Sequence, residues 1–169
     1  TRSAPTKAEA AIEDMADLFR MMLGDDENLV PVRNEIAVAR KYLNLETLRL
    51  DGRLDVDWDI GSFPRKAVMP ILTLQPLLEH AIQFGVEALP EGGRVAVKLW
   101  EQDECIHISV SAPQPGARAA APPDAPDGAL EDIRQRLASH YNEAARLEVA
   151  RAGGRCTVTV TLPMRGGPA

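Results

Sequence analysis

The sequence has no long apolar run, no cysteine pair at metal-ligand spacing and no excess of positive charge, and each absence removes a class of function. No stretch of its 169 residues approaches the roughly 18 consecutive apolar residues that cross a bilayer. These residues are therefore expected to hold neither a membrane segment nor a signal peptide. Lys and Arg number 19 against 25 Asp and Glu, a formal net charge of -6. Phosphate contacts need clustered Lys and Arg, so nucleic acid is not an expected partner. The two cysteines, Cys105 and Cys156, stand in apolar, strand-like runs without C-x-x-C or His/Cys ligand spacing. They read as buried thiols in a reducing compartment, not as a zinc site. The length suits one domain with an appendage and a proper core. Because it does not open on Met and starts near a helix, the chain reads as a piece of a longer protein.

What is present is organised around Thr73 to Gly85. Leu74, Leu77, Leu78, Ala81 and Ile82 recur at helical spacing, which predicts one face in the core, with Glu79, His80 and Gln83 on or beside the other. Thr73 is placed to cap this helix, Pro76 falls in its first turn and Gly85 can end it.

Upstream, Thr6 and Glu9 have the spacing of a capping box, and Ile12, Met15, Ala16, Phe19, Met22 and Leu23 form an apolar stripe closed by Gly24. That stripe reads either as a core face or, preferably, as half of a helical hairpin that needs a partner helix. An acidic turn, Asp25 to Asn28, leads to a second helical pattern ending at Leu50, with Ile36, Ala39, Leu43 and Leu50 on one face. Glu35, Glu46 and Arg49 read as its solvated charged face.

After the Asp51-Gly52 turn, Leu54, Val56, Trp58 and Ile60 alternate with Arg53, Asp55, Asp57 and Asp59, the pattern of a half-buried strand. The aspartates are spaced to discourage edge pairing, not to hold a metal. Arg94 to Trp100 and Glu104 to Ser111 form an antiparallel hairpin in which His107 is a strand histidine. Ala112 to Asp127 is a proline- and alanine-rich loop. A helix from Gly128 or Ala129 to about Tyr141 turns Leu130, Ile133 and Leu137 inward and Arg134 and Arg136 outward, and a hairpin around Gly153-Gly154 closes the chain. This order predicts an α+β fold, a two-layer sandwich with helices on one face of a mixed sheet.

Leu74, Gln75, Pro76, Leu77, Glu79, Ala81, Ile82 and Gly85 fit the wording L-Q-P-L-V-E-N-A-I-x-H-G. The stretch thus resembles the N box of the GHKL (Bergerat-type) ATP-binding domains in the form used by LytS/AlgZ-like sensor histidine kinases. Val30, Pro31, Glu35, Ile36, Tyr42, Leu43, Leu45 and Arg49 fit a second segment of that family. The resemblance implies a remnant of the dimerisation and phosphotransfer helices with a linker helix at 1–50, and a GHKL-type domain at 51–169. It also implies ATP with Mg²⁺ as cofactors, a homodimer built through the N-terminal helices and a response regulator, of LytTR type, as partner. The parent would be a bacterial inner-membrane protein with this part in the cytoplasm.

The same resemblance assigns the site residues. Glu79 holds the position of the family's general base, and His80 that of the Mg-holding Asn. Ala112 replaces the Asp that accepts from the adenine amino group, Gln114 and Gly116 occupy the two glycines of that signature, and Gly128 lies between Asp127 and Ala129, which replace the next two. An imidazole is a poor substitute for a hard oxygen on Mg²⁺, and Asp127 and Glu131 bring negative charge to the phosphate end. The family's H-F-L-F-N phospho-acceptor stretch does not occur, and His80, His107 and His140 lack its context. The expectation is a domain with little or no ATP binding or autophosphorylation, acting as a signalling scaffold. The alternatives are a competent kinase with an altered site and a GHKL protein-binding module outside two-component signalling.

Overall fold

The computed structural model describes residues 12–15, 29–116 and 128–164. The capping box at Thr6, most of the apolar stripe, the acidic turn and positions 117–127 of the loop lie outside the described residues. Residues 12–15 are helical. Ile12 and Met15 are 66% and 49% exposed, while Asp14 reaches Lys41 at 3.6 Å.

Strand β1 (Leu29–Pro31) runs into helix α1 (Val32–Arg49) with Pro31 at the N-cap. The proline suits that place because its φ of -54° is preset for helix entry and no N–H is lost from the ladder. Asp51 and Gly52, both at positive φ, turn the chain into β2 (Leu54–Ile60). Next come β3 (Val68–Pro70), α2 (Leu74–Ala81) and a wider π turn over Ile82–Val86. The helical path therefore runs past Gly85, which does not end it. Strands β4 (Gly93–Gln102) and β5 (Cys105–Pro113) follow, then α3 (Gly128–Tyr141), β6 (Arg146–Ala152) and β7 (Arg155–Pro163). The β4–β5 turn at Asp103-Glu104 and the β6–β7 turn at Gly153-Gly154 both use paired positive φ, which matches the twist of antiparallel strands.

The sheet has the order β2-β4-β5-β7-β6, with β2 parallel to β4 and the other pairs antiparallel. Its mixed character and one-sided helices are those expected. The connection at 67–70 does more than join elements, since β3 pairs with β1 from Leu29↔Pro70 to Pro31↔Val68.

The inner face of the sheet gives Val95, Val97, Leu99, Ile106, Ile108, Val110, Val158, Val160 and Leu162 to one core, which α2 and α3 complete with Leu74, Leu77, Leu78, Leu130, Ile133 and Leu137. Val32, Ile36, Ala39 and Leu43 of α1 belong to the same cluster, so the boundary expected after residue 50 falls between elements that share a core. On the outer face His107 stacks on Trp100, its partner in register, with centroids 5.1 Å apart. Asp55 and Asp59 of the edge strand β2 are exposed and pair with Arg94 and Lys98. Cys105 and Cys156 are half-buried, not buried as expected, because both lie toward strand ends.

Candidate functional site

The site is built around α2, whose first turn is held from outside. Thr73 precedes the helix, but its hydroxyl donates back to the Pro70 carbonyl at 2.7 Å and caps nothing. The cap comes instead from Glu35 on α1. Its Oε1 accepts from the Leu72 N–H at 2.8 Å, and its Oε2 from those of Thr73 and Leu74 at 3.1 and 3.2 Å. Glu35 is 3% exposed, which corrects its place on a solvated face. The signal was available, for Glu35 sits between Val32 and Ile36 inside the apolar stripe, where an unpartnered carboxylate is not tolerated. Burial pushes its carboxyl above 4.5, outweighing the three N–H groups and Arg136, which act the other way. Arg136, expected outward, is half-buried and donates to the Leu72 carbonyl. Burial lowers its guanidinium against the opposing pull of Glu35.

Consecutive residues of α2 then face different surfaces. His80 is 7% exposed, so it turns inward instead of lying with Glu79 and Gln83. Its ring meets Phe84 at 5.0 Å between centroids, tilted 54°. Both line a cavity of about 20 Å³ with Leu77, Gly85, Ala112 and Gln114, between α2 and the ends of β5 and β7. Such a space has room for about one water. The cavity is tight because β5 comes down on the π turn: a Cβ built on Gly85 would lie 2.7 Å from the Pro113 carbonyl oxygen and 2.9 Å from the Ala112 Cβ.

Glu79 points to the other side. It accepts from Gln75 Nε2 at 3.1 Å and lines an open groove of about 320 Å³ with Tyr42, Glu46, Arg49, Gln83 and Glu87. Arg49 bridges this groove by bonding Glu46 on its own helix and Glu87 beyond the π turn. Burial raises the Tyr42 phenol, and the carboxylates of Glu46, Glu79 and Glu87 add to that while Arg49 opposes it. Gly116 and the α3 start, Gly128 and Ala129, are exposed and line neither space. Among the described residues no group of three His, Cys, Asp or Glu is placed to hold a metal.

A family model described as histidine kinase matches residues 1–54. Sensor histidine kinase YesM of Bacillus subtilis is 26% identical over 157 residues, covering 91% of this chain and 27% of that protein. Sensor protein LytS of Streptococcus mutans is 23% identical over 172 residues, covering 95% of this chain and 30% of that protein. Histidine kinase AdeS of Acinetobacter baumannii superposes with a TM-score of 0.61 at 14% identity, over 92% of this chain and 76% of that one. That likeness speaks for the fold alone. In sequence the chain is similar to the LytS-like sensor histidine kinases.

It spans under a third of the length of either curated relative. Within this LytS-like chain, positions that match the family wording and positions that depart from it gather on two different surfaces. Tyr42, Arg49 and Glu79 meet in the groove between α1 and α2. The positions that depart from the wording at the N box and the adenine signature, His80, Phe84, Ala112 and Gln114, line the cavity. Gln114, only 8% exposed, joins it as a buried amide. Its position was legible but its burial was not, because a loop was expected from Ala112 while β5 runs on to Pro113.

Proposed function

We propose that this chain is the nucleotide-type domain of a LytS-like sensor histidine kinase that holds Mg·ATP weakly or not at all and acts as a signalling scaffold. In the complete protein it would join a homodimer through the N-terminal helices. That protein would sit in a bacterial inner membrane, with this part on the cytoplasmic side, and would address a response regulator of LytTR type.

The observation that carries the reading is the small size of the cavity. Ligand sites commonly enclose about 300–1,000 Å³, whereas the space at the adenine-signature position measures about 20 Å³. Its walls also lack the needed chemistry. Ala112 offers no acceptor to an adenine amino group, whose burial unpaired costs about 1–3 kcal/mol. His80 brings an imidazole where Mg²⁺ calls for oxygen. Each 1.4 kcal/mol of such loss is about a factor of ten in affinity. The residues at these positions do not fit Mg·ATP. Glu79, turned to the opposite groove, has Gln75, Tyr42, Glu46, Arg49, Gln83 and Glu87 about it among the described residues.

The test is the melting temperature of this domain with and without millimolar Mg·ATP. A ligand at a hundred times its Kd stabilises the folded state by about 2.7 kcal/mol, about 5–11 °C for a chain of this size. The expected shift is under about 1 °C, and a titration giving sub-millimolar affinity overturns the proposal in favour of a competent kinase with an atypical site.

A further inference from the structure

We infer that Glu35 is a positioning residue through which α1 sets the place of α2, the helix that carries His80 and Glu79, with Arg136 of α3 bonding the same joint. The joint is the Leu72–Leu74 backbone. Three consecutive N–H groups end on the one carboxylate of Glu35, and the Leu72 carbonyl ends on the Arg136 guanidinium. Leu72 itself has a φ of +56°, a conformation that a residue with a side chain keeps only where its surroundings impose it. Here the imposition comes from two charged side chains on two other helices.

A local cap would have served to satisfy the first turn of α2. Ser, Thr, Asn or Asp at the N-cap does this without help, and Thr73 occupies that place with its hydroxyl turned away. Using a carboxylate 37 to 39 residues upstream instead ties α2 to a separate element. That element is anchored in turn. The β1–β3 pairing fixes the start of α1 beside the same joint, and the Val32 N–H donates to the Ala67 carbonyl at 3.0 Å. Farther along α1, Lys41 meets Asp14 in the preceding helical segment. Displacement of that segment therefore reaches α2 through α1 and Glu35, and rearrangement of α3 reaches it through Arg136. Because burial raises the Glu35 carboxyl, its gain lies in fixing geometry more than in net stability. The inference holds whether or not nucleotide binds, and nucleotide-free protein tests it.

Amide hydrogen exchange is measured by NMR on the described chain and its Glu35→Gln, Arg136→Met and double variants. In Glu35→Gln an amide NH₂ faces backbone donors. Leu72, Thr73 and Leu74 should exchange on the order of 10- to 100-fold faster, while amides of β4, β5 and β7 stay within about twofold. The His80 ring signals should move, and the double variant should add less than the sum of the singles. Acceleration spread evenly over the sheet, unchanged exchange at 72–74, unmoved His80 signals or strict additivity each overturn the inference. If the variants do not fold, acid titration of the wild type replaces them. The three amide shifts should then move with a single midpoint as Glu35 protonates, and separate midpoints, or none before unfolding, refute the shared carboxylate.

Discussion

Gly85→Ala tests the close contact of the π turn with β5 that bounds the cavity. The added methyl would stand 2.7 Å from the Pro113 carbonyl oxygen and 2.9 Å from the Ala112 Cβ, distances at which something must shift. Neither neighbour is the free end of a flexible side chain. One is backbone in β5, held by pairing to β7 from Cys105 to Pro113, and the other is a Cβ fixed to that backbone. The π turn or the end of β5 must therefore move, and overpacking of this kind costs about 1–3 kcal/mol. For a chain of this length each kcal/mol lowers Tm by about 2–4 °C, which gives a fall of about 2–12 °C. Thermal melting followed by circular dichroism measures it, with Gly128→Ala as control. At Gly128, the first residue of α3, a Cβ meets nothing within 4 Å, and Ala should leave Tm unchanged or raise it through a gain of up to about 1 kcal/mol. A Gly85→Ala protein that melts with the wild type would show that the π turn and β5 are not in this close contact.

Ala112→Asp restores the family's adenine acceptor but sets a carboxyl at a position 3% exposed. It should lower stability by about 1–3 kcal/mol and still give no Mg·ATP-dependent rise in Tm; sub-millimolar affinity in this variant would mean that the missing acceptor was the whole defect. Glu35 predicts a pH dependence. Its carboxyl is raised above 4.5 by burial, so the folded state binds that proton more tightly than the unfolded chain. The stabilisation is complete below about 4.5 and is lost as pH rises through the folded value. Urea unfolding across this range should show the wild type losing ground to Glu35→Gln as pH rises, and the opposite slope would refute the assignment. Tyr141 is 5% exposed and its hydroxyl has no hydrogen-bond partner among the described residues. Burial alone raises that phenol. Tyr141→Phe should therefore melt at or above the wild-type temperature, and a fall of more than about 2 °C would reveal a partner.

Periodicity identified the elements that apolar residues decide. Leu74, Leu77 and Leu78, or the alternation of Ile106, Ile108 and Val110, bury the same face wherever their partners lie, so spacing suffices. It can place a polar residue such as Glu35 on a buried stripe, but it does not say what the residue bonds to, because the partner lies far away in the chain. Glu35 lies on the apolar stripe of α1 and is buried because the Leu72–Leu74 amides need an acceptor. Arg136 turns in because the Leu72 carbonyl needs a donor. Neither need is visible until β1–β3 pairing brings α1 and α2 together, and β3, at three residues, is too short to announce itself.

The same limit separates the two residues at the centre of the N-box wording. Glu79 and His80 are neighbours in sequence, and a motif presents them as one site. An α-helix advances by about 100° per residue, so a helix packed on a sheet sends two successive side chains to different surroundings. In this chain His80 faces the sheet and its cavity, and Glu79 faces α1 and its groove. Loss of function at one need not remove function at the other. The cavity beside His80 and the groove of Tyr42, Arg49 and Glu79 share no residue, and the groove lies on α1, the helix that Asp14 and Lys41 connect to the segment before it. A substitution that fills the cavity can therefore leave the groove, and its connection to that segment, undisturbed.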